Sequence, residues 1–274
     1  MSRTTLSLLF SLIYSIYLVA VMEPLQWLVI GPLCALNPKR RPAILRAWFR
    51  LQARLVLGLA RRIGGLSVQV EGALPETSVI LLMNHQSLLD IPVGVSLLRG
   101  PYPVIPVRAK YTRGIPGISS LARLGGFPAL LQGSRATRAE YAALGAAADA
   151  VGRGERSMIL YPEGHRSRDG LLQPFMSQGL RLLFRRAPQR PVYLAVIDGL
   201  WPLRGLKDIA LRLAGRTARV EIQGPYPIPP DPHDHETFVT SLRAEMVAML
   251  DRLRASVDPP SPSATLAHRT QRVG

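Results

Sequence analysis

Apolar positions along the chain fall into three successive patterns. Residues 6–22 and 25–36 form two almost unbroken apolar runs, separated by Glu23-Pro24. The first run sits at the short end of what crosses a bilayer, for which about 20 residues are usual. It admits a spanning helix, half of a re-entrant helical hairpin, or a signal peptide, the last supported by Arg3 and the small residues at 19–21. The cluster Lys39-Arg40-Arg41 after the second run favours an uncleaved membrane anchor whose end lies on the cytoplasmic side. Residues 42–62 then change to helical spacing, with Ile44, Trp48, Leu51, Leu55 and Leu59 on one side and Arg46, Arg50 and Arg54 roughly opposite. Such a helix suits a negatively charged membrane surface, with Trp48 at head-group depth, and equally suits ordinary packing on a domain. Gly64-Gly65 ends it.

From residue 66 onward, short apolar runs alternate with helical patterns. Strands are predicted at 67–70, 78–83, 104–107, 126–131, 157–161, 191–197 and 218–222, and helices at 90–98, 118–124, 135–151 and 237–257. The last helix carries Phe238, Leu242, Met246, Met249 and Leu250 on one face. This alternation predicts an α/β fold: a layered sheet with flanking helices, preceded by an N-terminal membrane-associated helical segment. The expected division is an anchor over 1–36, a basic amphipathic helix over 37–65, a catalytic domain over 66–257 and a disordered tail over 258–274. There is no internal repeat.

Composition narrows the partners. A formal net charge of +16 over 274 residues points to anionic partners, either lipid head groups or nucleic acid. Sparse aromatics without a stacking series weaken the nucleic-acid reading. A single cysteine, Cys34, rules out disulfide frameworks and Cys-based zinc sites within the chain, and suits a cytosolic face. Neither a G-x-S-x-G elbow nor a G-x-x-x-x-G-K-[ST] loop occurs, and the histidines lack an H-E-x-x-H arrangement.

Two stretches carry candidate chemistry. The run at 79–83 feeds Asn84-His85-Gln86-Ser87-Leu88-Leu89-Asp90, so His85 emerges where a strand ends. His85 and Asp90, five apart across a strand-to-helix turn, suit a base and its orienting carboxylate. The plainer reading is a loop histidine beside a helix N-cap, two residues before Pro92. The second stretch follows the run at 157–161: Pro162-Glu163-Gly164-His165-Arg166-Ser167-Arg168-Asp169-Gly170. A glycine turn with two arginines and a serine can offer N–H groups and guanidinium forks to a phosphate.

Together, NHQSLLD and YPEGHRSRDG resemble the H-x-x-x-x-D and F-P-E-G-T-R-S motifs of the PlsC-type, lysophosphatidate acyltransferase-like glycerolipid acyltransferases. The resemblance covers residues 84–196. It implies a membrane-bound O-acyltransferase that moves a fatty acyl group from an acyl thioester, acyl-CoA or acyl carrier protein, to a lysophospholipid hydroxyl, with lysophosphatidate first. It further implies His85 as general base oriented by Asp90, and backbone N–H groups for the oxyanion. Gly164, Arg166 and Ser167 would seat the acceptor, with Glu163 holding their loop. An acyl-enzyme on Ser87 ranks lower.

Lys110 matches the basic residue of the family's second block. The implied setting is the cytoplasmic face of the inner membrane, against an anionic bilayer surface, with no cofactor beyond the thioester, no metal and no nucleic acid. Oligomeric state is left open.

This sequence departs from the family pattern at four places. The Arg that closes the second block falls on Leu131 or Gln132, with Arg135 as a substitute from the next turn. His165 stands for Thr, Met176 for a Lys, and Leu194 for the second proline of the fourth block. These departures keep two alternatives open: a phosphate-free acceptor such as a lyso-aminolipid, and a non-catalytic basic membrane-surface protein.

Overall fold

The computed structural model describes residues 1–130 and 137–256. Its first element is one helix, α1 (Arg3–Leu36), the only one among the described residues long and apolar enough to cross a membrane. Glu23-Pro24 does not divide it, contrary to the two-run reading. Pro24 and Pro32 each lack an N–H and crowd the carbonyl four residues back, and each misfit is taken up by a widened π-helical turn just before it, at Leu18–Met22 and Gln26–Ile30. At 34 residues α1 is roughly 50 Å long.

One side of α1 lies on the domain. Phe10 and Met22 are buried, Ser7 Oγ accepts the N–H of Ala214, and Tyr17 donates to Gln52. The other side exposes Leu8, Leu12, Ile16, Val19 and Leu28.

The second helix, α2 (Arg41–Gly64), ends on Gly65, whose φ of 64° closes the last turn in the left-handed region. Trp48, only 6% exposed, packs inward, as the packing reading of this helix expects. The buried stripe runs through Leu45, Phe49, Ala53, Val56 and Ala60, while Leu51 and Leu55 face out beside α1. Arg46 and Arg50 donate to the carbonyl of Arg99, so these charges serve the domain.

Beyond α2 lie β1 (Ser67–Glu71), β2 (Ile80–Met83), α3 (Asp90–Leu97), β3 (Pro103–Val104), β4 (Val107–Arg108), α4 (Ile118–Leu124), β5 (Ala129–Leu130), α5 (Arg138–Gly152) and β6 (Ser157–Leu160). They are followed by α6 (Ser177–Arg186), β7 (Val192–Asp198), α7 (Leu206–Arg212), β8 (Thr217–Tyr226) and α8 (His235–Ala255). The six-stranded sheet runs β1-β8-β7-β2-β6-β3, and β7, β2, β6 and β3 are mutually parallel while β8 opposes β7. A sheet covered on both faces explains why β2 reads as a continuous apolar run. Leu81 and Met83 pack toward α2 and α3, and Ile80 and Leu82 toward α5, α6 and α8.

Two predicted strands differ. The run at 104–107 splits at Pro106, which has no N–H for the ladder. Val104 stays in the main sheet, and Val107 pairs with Ala129 in a separate two-stranded ribbon. The strand predicted at 126–131 is reduced to β5, because Gly126 is left-handed at φ 61° and Pro128 follows. Leu131, Gln132 and Arg135, the positions weighed for the missing arginine, and the tail at 258–274 lie outside the described residues.

Candidate active site

The carboxyl ends of β2, β6 and β7 meet at one edge of the sheet, and there the two motifs come together. The residues flanking His85 all turn inward. Asn84 clamps β7 with both ends of its amide, donating to the Ile197 carbonyl at 2.9 Å and accepting its N–H at 2.7 Å. Gln86 accepts from the N–H groups of Leu200 and Trp201 and donates to Asp198, and Ser87 donates to the Leu203 carbonyl. Ser87 is fully buried and committed to that bond. His85 is therefore the polar side chain of this turn that reaches the surface, at 15% exposure.

Asp90 opens α3 and is fully buried. Its Oδ2 lies 2.9 Å from His85 Nδ1 and accepts the backbone N–H groups of Gln86 at 2.5 Å and Ser87 at 2.7 Å. Asp90 is not the N-cap, which is Leu89: its oxygen caps no N–H of α3 but closes the turn before the helix and holds the ring. Tyr161 stacks on the imidazole, with ring centroids 4.3 Å apart. Its hydroxyl is pushed well above 10, first by burial and then by the Asp90 charge.

The second motif grips the backbone of His85 from both sides. Glu163 Oε1 accepts the His85 N–H at 2.7 Å, and Ser167 N–H donates to the His85 carbonyl at 2.7 Å. Glu163 Oε2 accepts the N–H of Gln173, so one carboxylate ties three loop segments. Burial pushes this carboxyl up to about 7, against the lowering by the two N–H groups. Ser167 is also buried, and its hydroxyl donates within its own turn to Asp169 and the Leu171 carbonyl.

Gly164 is left-handed at φ 68°, and a Cβ there would collide with Met176 Sδ. Arg108 donates to the Gly164 carbonyl at 3.0 Å. Arg166, half-buried, donates to the Arg204 carbonyl and reaches Tyr111 Oη at 3.5 Å. Lys110 is exposed on the neighbouring segment, over the Tyr111 ring. Arg168 and His165 point outward as exposed residues.

Sequence reasoning missed Tyr161, read only as the end of a strand, and the support beneath the loop. Burial would raise Asp198, but Arg254 and Gln86 hydrogen bonds hold it below the usual range, and Arg254 also donates to Gly170. The signal for these contacts is spatial: Gln86 and Asp198 are 112 residues apart.

An Acyltransferase family model matches residues 66–197. The chain is also similar to the crystal structure of the 1-acyl-sn-glycerophosphate (LPA) acyltransferase, PlsC, from Thermotoga maritima. The TM-score is 0.66 at 22% identity, over 92% of this chain and 95% of that one. No curated protein sequence matches the chain at a significant level. The segment that matches the acyltransferase model holds both motifs and the partly buried His85. The chain therefore shares the fold of that PlsC structure, and its two motifs resemble those of the PlsC-type glycerolipid O-acyltransferases.

Proposed function

We propose that this enzyme moves a fatty acyl group from acyl-CoA or an acyl carrier protein thioester to the hydroxyl of a lysophospholipid, lysophosphatidate first. The reading is carried by the His85–Asp90 contact. With Nδ1 held at 2.9 Å by a buried carboxylate, Nε2 is the nitrogen left to take a proton. His85 removes the acceptor's hydroxyl proton as that oxygen forms its bond to the thioester carbonyl carbon. The tetrahedral oxyanion then collapses, the C–S bond breaks, and the thiolate takes the proton back from the imidazolium. Asp90 steadies the cation between these transfers, and the Tyr161 stack fixes the ring plane.

The acceptor's phosphate lies against Arg166 and Lys110, on the side where Gly164 lets the backbone approach closely. Tyr111 is shared between these two cations. Lysophosphatidate as acceptor is supported by the likeness to the Thermotoga maritima protein, itself an LPA acyltransferase.

The apolar side of α1, continued by Leu51 and Leu55, is the membrane face. A helix bound to its domain along one side docks lengthwise at the interface, with Lys39 and Arg40 at anionic head groups. The proposed setting is the cytoplasmic side of the inner membrane.

A phosphate-free lysolipid is favoured by one observation: Met176, at the family's Lys position, is 63% exposed beside Gly164 and offers a thioether where a cation is expected. Purified protein given a labelled acyl thioester tests both readings against lysophosphatidate and a lyso-aminolipid. Preference for lysophosphatidate supports the phosphate seat, and preference for the aminolipid overturns it.

A further inference from the structure

Between Arg3 and Lys39 the chain has one charged side chain, Glu23, midway along the one described helix long and apolar enough to cross a membrane. A carboxylate there is costly unless it is paired or hydrogen-bonded. It is turned toward the domain and fully used. Oε2 accepts the N–H of Gly117 at 2.5 Å and the hydroxyl of Ser120 at 2.5 Å, and Oε1 accepts Trp27 Nε1 at 2.7 Å. One turn on, Gln26 donates to the Gly117 carbonyl at 2.9 Å. Both backbone groups of Gly117 are thus held by side chains of α1.

Gly117 itself fits this contact closely. Its φ is 73°, and a Cβ would lie 2.9 Å from Leu18 Cδ2 and 3.1 Å from Met22 Sδ. The widened turns on either side of Glu23–Leu25 put Glu23 and Gln26 on the same side as these contacts.

Gly117 ends the segment that carries Lys110 and Tyr111. That segment is tied to α4 by side-chain hydrogen bonds: Ser119 accepts the Ile115 N–H and donates to the Tyr111 carbonyl, and Arg123 donates to the Thr112 carbonyl. Tyr111 Oη then meets Arg166. A continuous set of hydrogen bonds therefore runs from the apolar helix to the basic side of the active site. We infer that Glu23 is a positioning residue for the acceptor: its carboxylate holds the Lys110–Gly117 arm against Arg166, so that the helix facing the lipid sets the geometry of the acceptor seat. This rests on the reading of Lys110 and Arg166 as the acceptor's side of the site.

The test is steady-state kinetics of the full chain in mixed micelles, for Glu23→Ala, Glu23→Gln and Ser120→Ala, with lysophosphatidate and a lyso-aminolipid as acceptors. Glu23→Ala should raise the acceptor KM about tenfold, with donor KM and kcat within about twofold. Ser120→Ala, which leaves the helix untouched, should move the acceptor KM a few-fold in the same direction. Glu23→Gln, whose amide oxygen can still accept, should recover most of the loss. A purely structural role would lower the unfolding temperature and the active fraction without a selective rise in acceptor KM, and that result overturns the inference. So does an unchanged acceptor KM in both Glu23→Ala and Ser120→Ala. Wild-type preference for the aminolipid would overturn the phosphate reading alone, because the positioning claim is then read on the preferred acceptor.

Discussion

The backbone N–H of His85 donates to Glu163 Oε1 at 2.7 Å, so the carboxylate of the second motif holds the residue at the head of the first. Burial raises that carboxyl from 4.5 to about 7. The fold therefore favours its protonated form. The stabilisation is fully present below about pH 4.5 and is lost as pH rises through about 7, amounting to no more than about 3 kcal/mol. Thermal unfolding at pH 5 and pH 8 should show a larger loss for the wild type than for Glu163→Gln. Parallel losses would remove Glu163 as the source.

Asp90 Oδ2 accepts from three donors, and its charge faces the imidazole from a fully buried position. Asp90→Asn can keep an oxygen at that place but loses the counter-charge, so kcat should fall roughly 10- to 100-fold with the acceptor KM little changed. Asp90→Ala strands two buried N–H groups as well. That should cost about 1–3 kcal/mol per group in unfolding free energy, a loss calorimetry would detect.

Arg166 is tied to the Arg204 carbonyl and Tyr111 through its guanidinium, which holds the fork in place for an anion. An Arg–phosphate contact made equally in ground and transition states acts on KM. Arg166→Ala should raise the acceptor KM about tenfold and leave kcat within a few-fold. A loss confined to kcat would place Arg166 outside the seat.

The two sides of α1 should separate in experiment. Replacing the outward Leu12, Ile16 and Leu28 by serine should weaken retention on anionic vesicles with the unfolding temperature nearly unchanged. Phe10→Ala, on the buried side, should cost about 3–5 kcal/mol of stability instead. Retention unaffected by the triple change would argue against this face as the docking surface.

How much was legible in the sequence depended on how local the cause was. The apolar run of β2, the short loop after it and the five-residue spacing of His85 and Asp90 lie within a dozen residues, and their geometry follows from strand, turn and helix start. Pro106 was a legible break that the strand pattern overrode. Pro24 was the reverse: a breaker in sequence that the helix absorbs by widening the turn before it, as it does again before Pro32.

Trp48 followed the apolar period faithfully, yet both sides of α2 carry apolar residues, and the packing of α2 on α1, α3 and the sheet decides which side is covered. The Tyr161 stack, the Glu163 bond to His85 and the Glu23 bond to Gly117 join residues 76 or more apart in sequence. Periodicity carries no information about such pairs.

The most direct measurement is acyl transfer by purified His85→Ala beside the wild type, with a labelled acyl thioester and lysophosphatidate in the same micelles. The account predicts ready transfer by the wild type and a fall of at least about 100-fold in kcat for the variant, with an unchanged unfolding temperature and vesicle binding. Near-wild-type turnover by a folded His85→Ala would contradict the assignment of His85 as the base.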